Sequence, residues 1–183
     1  MNRILYETDR LIIREWCDSD YLDLYEYCSD EEVTKFLSFD TYKSTDDAID
    51  RIKSLKESTE EILKDYAIEL KGANKVIGSI GIVQYSPKHF GQVEIGYILN
   101  PKFQGNGYMT EALKGMFRSV FDRGIAKRIV LKHDVLNEKS GNVMKRAGMT
   151  FEGIIRKAGG ENHLHSRYDI AQYSFLEEDL IED

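Results

Sequence analysis

Between Asp65 and Arg123 the hydrophobic period of this chain changes twice, and that double change leaves few folds open. Tyr66 to Leu70, Lys75 to Tyr85 and Gln92 to Leu99 are β-branched and aromatic, divided by Lys71-Gly72-Ala73-Asn74 and by Ser86 to Gly91. Apolar runs bounded by turn residues in this way predict an antiparallel meander. From Gly107 the spacing lengthens: Ala112, Leu113, Met116, Phe117, Val120 and Phe121 recur at three and four, which predicts an amphipathic helix to Arg123. Any fold must therefore carry the last meander strand through the glycine loop Gln104 to Met109 into a long helix.

The flanking segments complete the order. Arg10 to Glu15 reads as a first strand, and Asp18 or Ser19 caps a helix over Asp20 to Cys28 with Tyr21, Leu24, Tyr25 and Cys28 on one face. A shorter turn near Glu31 to Leu37 precedes a helix over Thr45 to Lys64, whose stripe is Ala48, Ile49, Ile52, Leu55, Ile62 and Leu63. Arg128 to Val135 is a strand, Lys139 to Ala147 a helix closed by Gly148, and Thr150 to Lys157 and Tyr168 to Leu176 two last strands around Gly159-Gly160. The order is β, α, α, β, β, β, α, β, α, β, β, an α/β (α+β) chain. No repeat or Pro/Ser-rich linker interrupts it, so residues 1–183 are expected to form a single domain.

Composition removes several functions. A net charge of -7 opposes binding to nucleic acid, which needs clustered Lys and Arg, and suits cationic partners instead. No stretch approaches the roughly 18 apolar residues of a membrane span. Met1 to Leu11 carries Arg3, Glu7, Asp9 and Arg10 and so resembles no targeting segment, from which a cytoplasmic location is expected. Cys17 and Cys28 read as packing thiols. His163 and His165 beside Glu161 read as a polar loop, without the further ligands a metal needs.

The glycine loop is the chemical signal. The first turn of a helix has free amide hydrogens and the positive end of the macrodipole, and glycines let phosphate oxygens approach the backbone. A diphosphate fits such a site. ATP is disfavoured because Tyr108, not Lys, follows Gly107, and a dinucleotide because Thr110 stands where a third glycine is needed. The plain alternative is a glycine turn that only starts a helix.

Gln104-x-x-Gly107-x-Met109 resembles the Gln/Arg-x-x-Gly-x-Gly/Ala signature of the GNAT N-acetyltransferases, which bind acetyl-CoA, with Met109 replacing a small final residue. Thr8-Asp9-Arg10-Leu11-Ile12-Ile13-Arg14, Glu94-Ile95-Gly96-Tyr97-Ile98-Leu99, Thr110-Glu111-Ala112-Leu113 and Asn137-x-x-Ser140-Gly141-x-Val143-Met144 are similar to the RimJ/RimL-type ribosomal-protein branch. The resemblance runs from Tyr6 to about Glu178 and implies a mixed, mostly antiparallel twisted sheet of about seven strands flanked by helices. It further implies an acetyl-CoA site on Gln104, Gly105, Asn106, Gly107, Tyr108, Met109 and Thr110, with the pantetheine arm along Ile95, Gly96, Tyr97 and Ile98 between splayed strands. Asn137 would meet the arm's amides, unless it is only a helix cap, and Asn142 would lie near the distal phosphate or adenine.

Acetyl transfer to an amine needs a base, an oxyanion site and a proton for the leaving thiolate. Glu94 is the first candidate base and His133 the reserve, against the plainer readings of a solvated charge and a packing histidine. Where the wider family has a tyrosine acid the chain has Met144, whose thioether cannot donate, so Ser140 is the candidate donor, against a plain first-turn role. Tyr173 is a further hydroxyl, read as packing. Trp16 and Tyr42 are expected in the acceptor wall, with selectivity in the loops around Phe39 and Phe90. The implied partner is an amine-bearing acceptor, a peptide N-terminus or a small amine, and a homodimer stays open. The missing tyrosine also admits a CoA-binding sensor that has lost turnover, and a nucleotide-phosphate enzyme is the third alternative.

Overall fold

In a computed structural model, which describes residues 3–87 and 91–180, the expected meander forms the middle of an eight-stranded sheet. The strands are β1 (Ile4–Glu7), β2 (Leu11–Arg14), β3 (Asp65–Leu70), β4 (Lys75–Ser86), β5 (Gln92–Leu99), β6 (Arg128–Asp134), β7 (Thr150–Gly159) and β8 (Tyr168–Leu176). Helices α1 (Tyr21–Cys28), α2 (Glu31–Thr34) and α3 (Thr45–Glu57) follow β2, α4 (Tyr108–Asp122) follows β5, and α5 (Glu138–Arg146) follows β6. The sheet order is β1-β2-β3-β4-β5-β6-β8-β7, antiparallel except at the β5–β6 junction.

Two elements differ from expectation for tertiary reasons. Strand β1 is too short to show an alternation. It is held because the Tyr6 hydroxyl donates to the Ala112 carbonyl at 2.6 Å and its ring occupies the space a Cβ on Gly115 would need. Helix α3 stops at Glu57 instead of running to Lys64. Ala48 and Ile52 pack against Trp16 and Tyr27 on one face of the sheet, whereas Ile62 packs in the opposite cluster, so the chain must leave the helical path to change sides.

Those two clusters sandwich the sheet. On one face Met109, Leu113, Met116 and Phe117 of α4 pack against Ile13, Ile68, Ile80, Val93 and Ile95. On the other, Leu24, Tyr27 and Cys28 of α1 and Ala48 and Ile52 of α3 cover Ala67 and Val76. Burying a side chain of this size contributes about 1.5–3 kcal/mol, so α4 is anchored firmly enough to hold its first turn in place without a capping side chain.

The junction that positions the site is a failure of pairing. β5 and β6 register in parallel only at Gln92–Arg128, Val93–Ile129 and Glu94–Val130. Beyond these, β5 continues against β4 alone and β6 against β8 alone, so the strands part from Ile95 onward. Val83 forms a bulge in β4 opposite the start of this divergence, between the Ile82–Ile95 and Gln84–Glu94 pairs.

Candidate active site at the mouth of the β5–β6 divergence

The glycine loop sits where β5 ends. Gly105 and Gly107 have φ of 81° and 79°, values that L side chains rarely adopt, and Gly107 is the residue before α4. Among the described residues the backbone amides of Gly105, Asn106, Gly107, Tyr108, Met109 and Thr110 donate to no protein acceptor; the first engaged amide is Glu111, which bonds the Gly107 carbonyl. Met109 is buried in the core, so only its amide faces the loop, which accounts for its departure from the family signature. The Thr110 hydroxyl is buried without a partner in the same turn. These unspent donors at a helix start fit a diphosphate.

A set of side chains distant in sequence braces the loop. Glu111 accepts from the Thr8 hydroxyl and from the backbone and Nε of Arg10, and Arg10 donates through Nη1 to the Asn106 carbonyl while its guanidinium lies 4.6 Å over the Tyr108 ring. Burial raises the Glu111 carboxyl, but the hydrogen bonds from Thr8 and Arg10 outweigh it and the net shift is downward. Gln104 reaches both sides of the mouth: Nε2 donates to the Leu99 carbonyl and Oε1 accepts from Lys139 of α5.

Along β5, side chains alternate between the faces. Glu94 lies opposite Gln84 and is paired through Oε2 with Lys132 Nζ at 2.6 Å. Gly96 has a tighter reason to be glycine than ligand approach alone, since a Cβ there would stand 2.9 Å from Val83 Cγ1. Tyr97 and Ser140 are brought together across the gap: Tyr97 Oη lies 2.8 Å from Ser140 Oγ and also donates to the Ser140 carbonyl. Burial pushes the Tyr97 phenol up to about 12, so it stays protonated. Ile98 packs toward the α1–α3 cluster.

On α5, Asn137 is a helix cap, its Oδ1 accepting from the Ser140 amide and its own amide donating to the Asp134 carbonyl. Asn142 is exposed and Met144 is core. His133 does not join Glu94. Its neighbour Lys132 reaches Glu94, and His133 points the other way, stacked on Tyr173 at 5.8 Å with Nε2 buried and unpartnered against Gly141. Burial lowers its pKa, and a sealed Nε2 gives the reserve base no route to an acceptor. Trp16, expected in an acceptor wall, is 3% exposed and belongs to the core, whereas Tyr42 is only partly buried beside Phe39. Phe90 lies outside the described residues. His163 Nε2 meets the Phe39 carbonyl at 2.9 Å, linking the β7–β8 and α2–α3 connections, and His165 lies 3.8 Å from Asp134.

The sequence reading gave Arg10, Glu111 and Lys132 no role. Arg10 and Glu111 stood within the recognised motifs, but their partnership joins residues about a hundred positions apart, and only the folded chain displays it. Among the described residues no helix is long and apolar enough to cross a membrane.

Comparison with known proteins agrees with this geometry. YnaD of Bacillus subtilis (strain 168), named as an uncharacterized N-acetyltransferase, is 30% identical over 172 residues, 94% of this chain and 96% of its own. The ribosomal-protein-serine acetyltransferase of Escherichia coli (strain K12) is 31% identical over 96 residues, 52% of this chain and 51% of its own. The microcin C7 self-immunity acetyltransferase MccE, solved in complex with acetyl-CoA and AMP, superposes with a TM-score of 0.80 at 25% identity, covering 92% of this chain and 93% of that one. With a diverging β5–β6 junction, a helix start of free amides, and a match to the acetyltransferase (GNAT) domain over residues 10–150, the chain belongs to the GNAT acetyltransferase family.

Proposed function

We propose that the protein moves an acetyl group from acetyl-CoA to a primary amine by direct transfer in a ternary complex, with a protein N-terminal α-amine favoured over a polyamine or other small amine. The observation that carries this reading is the row of unengaged amides from Gly105 to Thr110 at the open end of the β5–β6 gap. The ribosomal-protein relative supports the protein acceptor. So does amine chemistry, because an α-amino group with a pKa of about 8 is neutral far more often near pH 7 than lysine at about 10.4.

Bound acetyl-CoA would supply an activated thioester and a thiolate leaving group. The Gly105–Thr110 amides and the first turn of α4 would hold the diphosphate, Gln104 and Asn142 its flanks, and the unpaired edge of Ile95 to Ile98 the arm and the oxyanion. Glu94 would take the amine proton through water: Lys132 fixes Oε2, and among the described residues Oε1 accepts no hydrogen bond. Ser140 would return a proton to the thiolate, with Tyr97 holding its hydroxyl in place.

An acetyl-CoA turnover screen tests the proposal: free thiol should appear with Ala- or Ser-starting peptides, and be compared across polyamines and aminoglycosides. A second reading, a CoA-binding sensor, is favoured by Met144, a core residue where the wider family has an acid. Stabilisation by acetyl-CoA without thiol release from any acceptor would select it.

A further inference from the structure

The bulge at Val83 leaves an apolar side chain standing in the open beside the proposed base. Residues paired across an antiparallel ladder share a face, so Glu94 with Gln84 and Gly96 with Gly81 lie on one side of the sheet, and Ile95 with Ile82 on the α4 side. Val83 stands on the Glu94 side, because its Cγ1 is 2.9 Å from where a Cβ on Gly96 would be. Helices α1 and α3 cover this face at Ala67, Val76 and Ile98 and stop short of Val83, which belongs to neither core cluster and is 60% exposed. Strand β3 has also ended before this point, its first pair on β4 being Asp65 with Gly81.

An exposed valine is ordinary in itself. This one gains a consequence from its place. Glu94 and Gly96 are alternate residues of β5, roughly 6–7 Å apart, and their side-chain directions agree. An amine that loses its proton to Glu94 through water and attacks a thioester lying along Gly96 must hold its nitrogen between the two. The carbon bearing that nitrogen, and the side chain it carries, then come within van der Waals reach of the Val83 methyl groups that flank Gly96. We propose that Val83 is a specificity-determining residue: it meets the side chain of the first residue of an acceptor peptide and favours an aliphatic group there over glycine. The inference rests on the acyl-transfer reading above and narrows its substrate class to peptides with an apolar first residue. Shielding a partly covered aliphatic group from water makes a preference of roughly tenfold.

Two peptides identical except for a Leu or Gly first residue compete in one acetylation mixture, and the product ratio reads their relative kcat/KM. Calorimetric titration of each peptide onto the protein with CoA present reads the same preference without turnover. Leu should be favoured about tenfold in both measurements. Val83→Thr keeps the β-branched shape at the bulge and replaces a methyl by a hydroxyl, and it should lower the ratio at least threefold, as should Val83→Ala. A wild-type ratio near one overturns the inference, and so does a loss shared equally by the two peptides, which is what a merely structural role for Val83 would give. Acetylation of small amines with neither peptide used would also overturn it and would leave the transferase reading intact. A Leu preference in binding that Val83→Thr erases, with no thiol released from any acceptor, would remove the transferase reading and leave the Val83 contact standing.

Discussion

Replacing Gly107 by Asp puts a negative charge where the proposed diphosphate would lie, and a matched set of variants separates the three effects of doing so. The first is backbone strain: at φ 79° a non-glycine residue costs about 1–2 kcal/mol, less for Asn and Asp than for Ala. The second is space, and here the cost is small, because a Cβ at this position would meet only Arg10 Nη2 at 3.6 Å, an ordinary contact. The third is charge. A carboxylate roughly 5 Å from a phosphate charge, at an effective dielectric of about 20 to 80, is repelled by about 1–3 kcal/mol, a loss of affinity of about fivefold to about 150-fold. Arg10, already bound to Glu111, would also be drawn toward the new carboxylate and away from the ligand. Gly107→Asn therefore shares the strain and shape of Gly107→Asp and lacks only its charge. Calorimetric titration with CoA should find Asp weaker than Asn by that factor, with a gap that narrows as salt screens the charges. Equal affinities for Asp and Asn would mean that no phosphate lies beside Gly107.

Glu94→Gln should cut kcat/KM about a hundredfold, most at low pH where the amine is protonated, and leave the Kd for CoA unchanged; an unchanged rate would remove Glu94 from the chemistry. Ser140→Ala should lower kcat about tenfold to a hundredfold and Tyr97→Phe by less, since Tyr97 only orients the serine; a larger loss from Tyr97→Phe in steady-state kinetics would exchange their roles. Glu111 has a depressed folded pKa, so its stabilising contribution is complete above the unfolded value of about 4.3 and disappears as pH falls through the folded value. Acid-unfolding curves should accordingly converge for wild type and Glu111→Gln at low pH and separate by about 1–3 kcal/mol near neutrality; a separation that persists in acid would contradict this.

What the sequence disclosed, it disclosed through local rules. The glycine loop is legible because positive φ and a helix start have a residue code, whereas Met109 reads only as a departure from the signature until the fold shows its side chain in the core. The outer strand β1 is not legible because its support, the ladder with β2 and the ring of Tyr6 against Gly115, is tertiary, and nothing local announces it. The end of α3 was misplaced because Ile62 and Leu63 continue the helical spacing of Ile52 and Leu55 while Ile62 serves the opposite core cluster. His133 drew attention for its pKa range, but on a strand one residue decides the face, and Lys132 holds the one toward Glu94.

Where β5 parts from β6, two strand edges face each other inside the molecule with their ladders unfinished. Edges on the outside of a sheet invite other chains, but this pair opens only onto a gap bridged by Tyr97 and Ser140. A slender guest with amide-like polar groups could complete both ladders, acting as a ninth strand and stitching the two leaves of the sheet together. Occupancy and folding stability would then rise together, so a cell short of that guest would hold a looser protein, more readily cleared by proteases, whose abundance follows the supply of the molecule it uses.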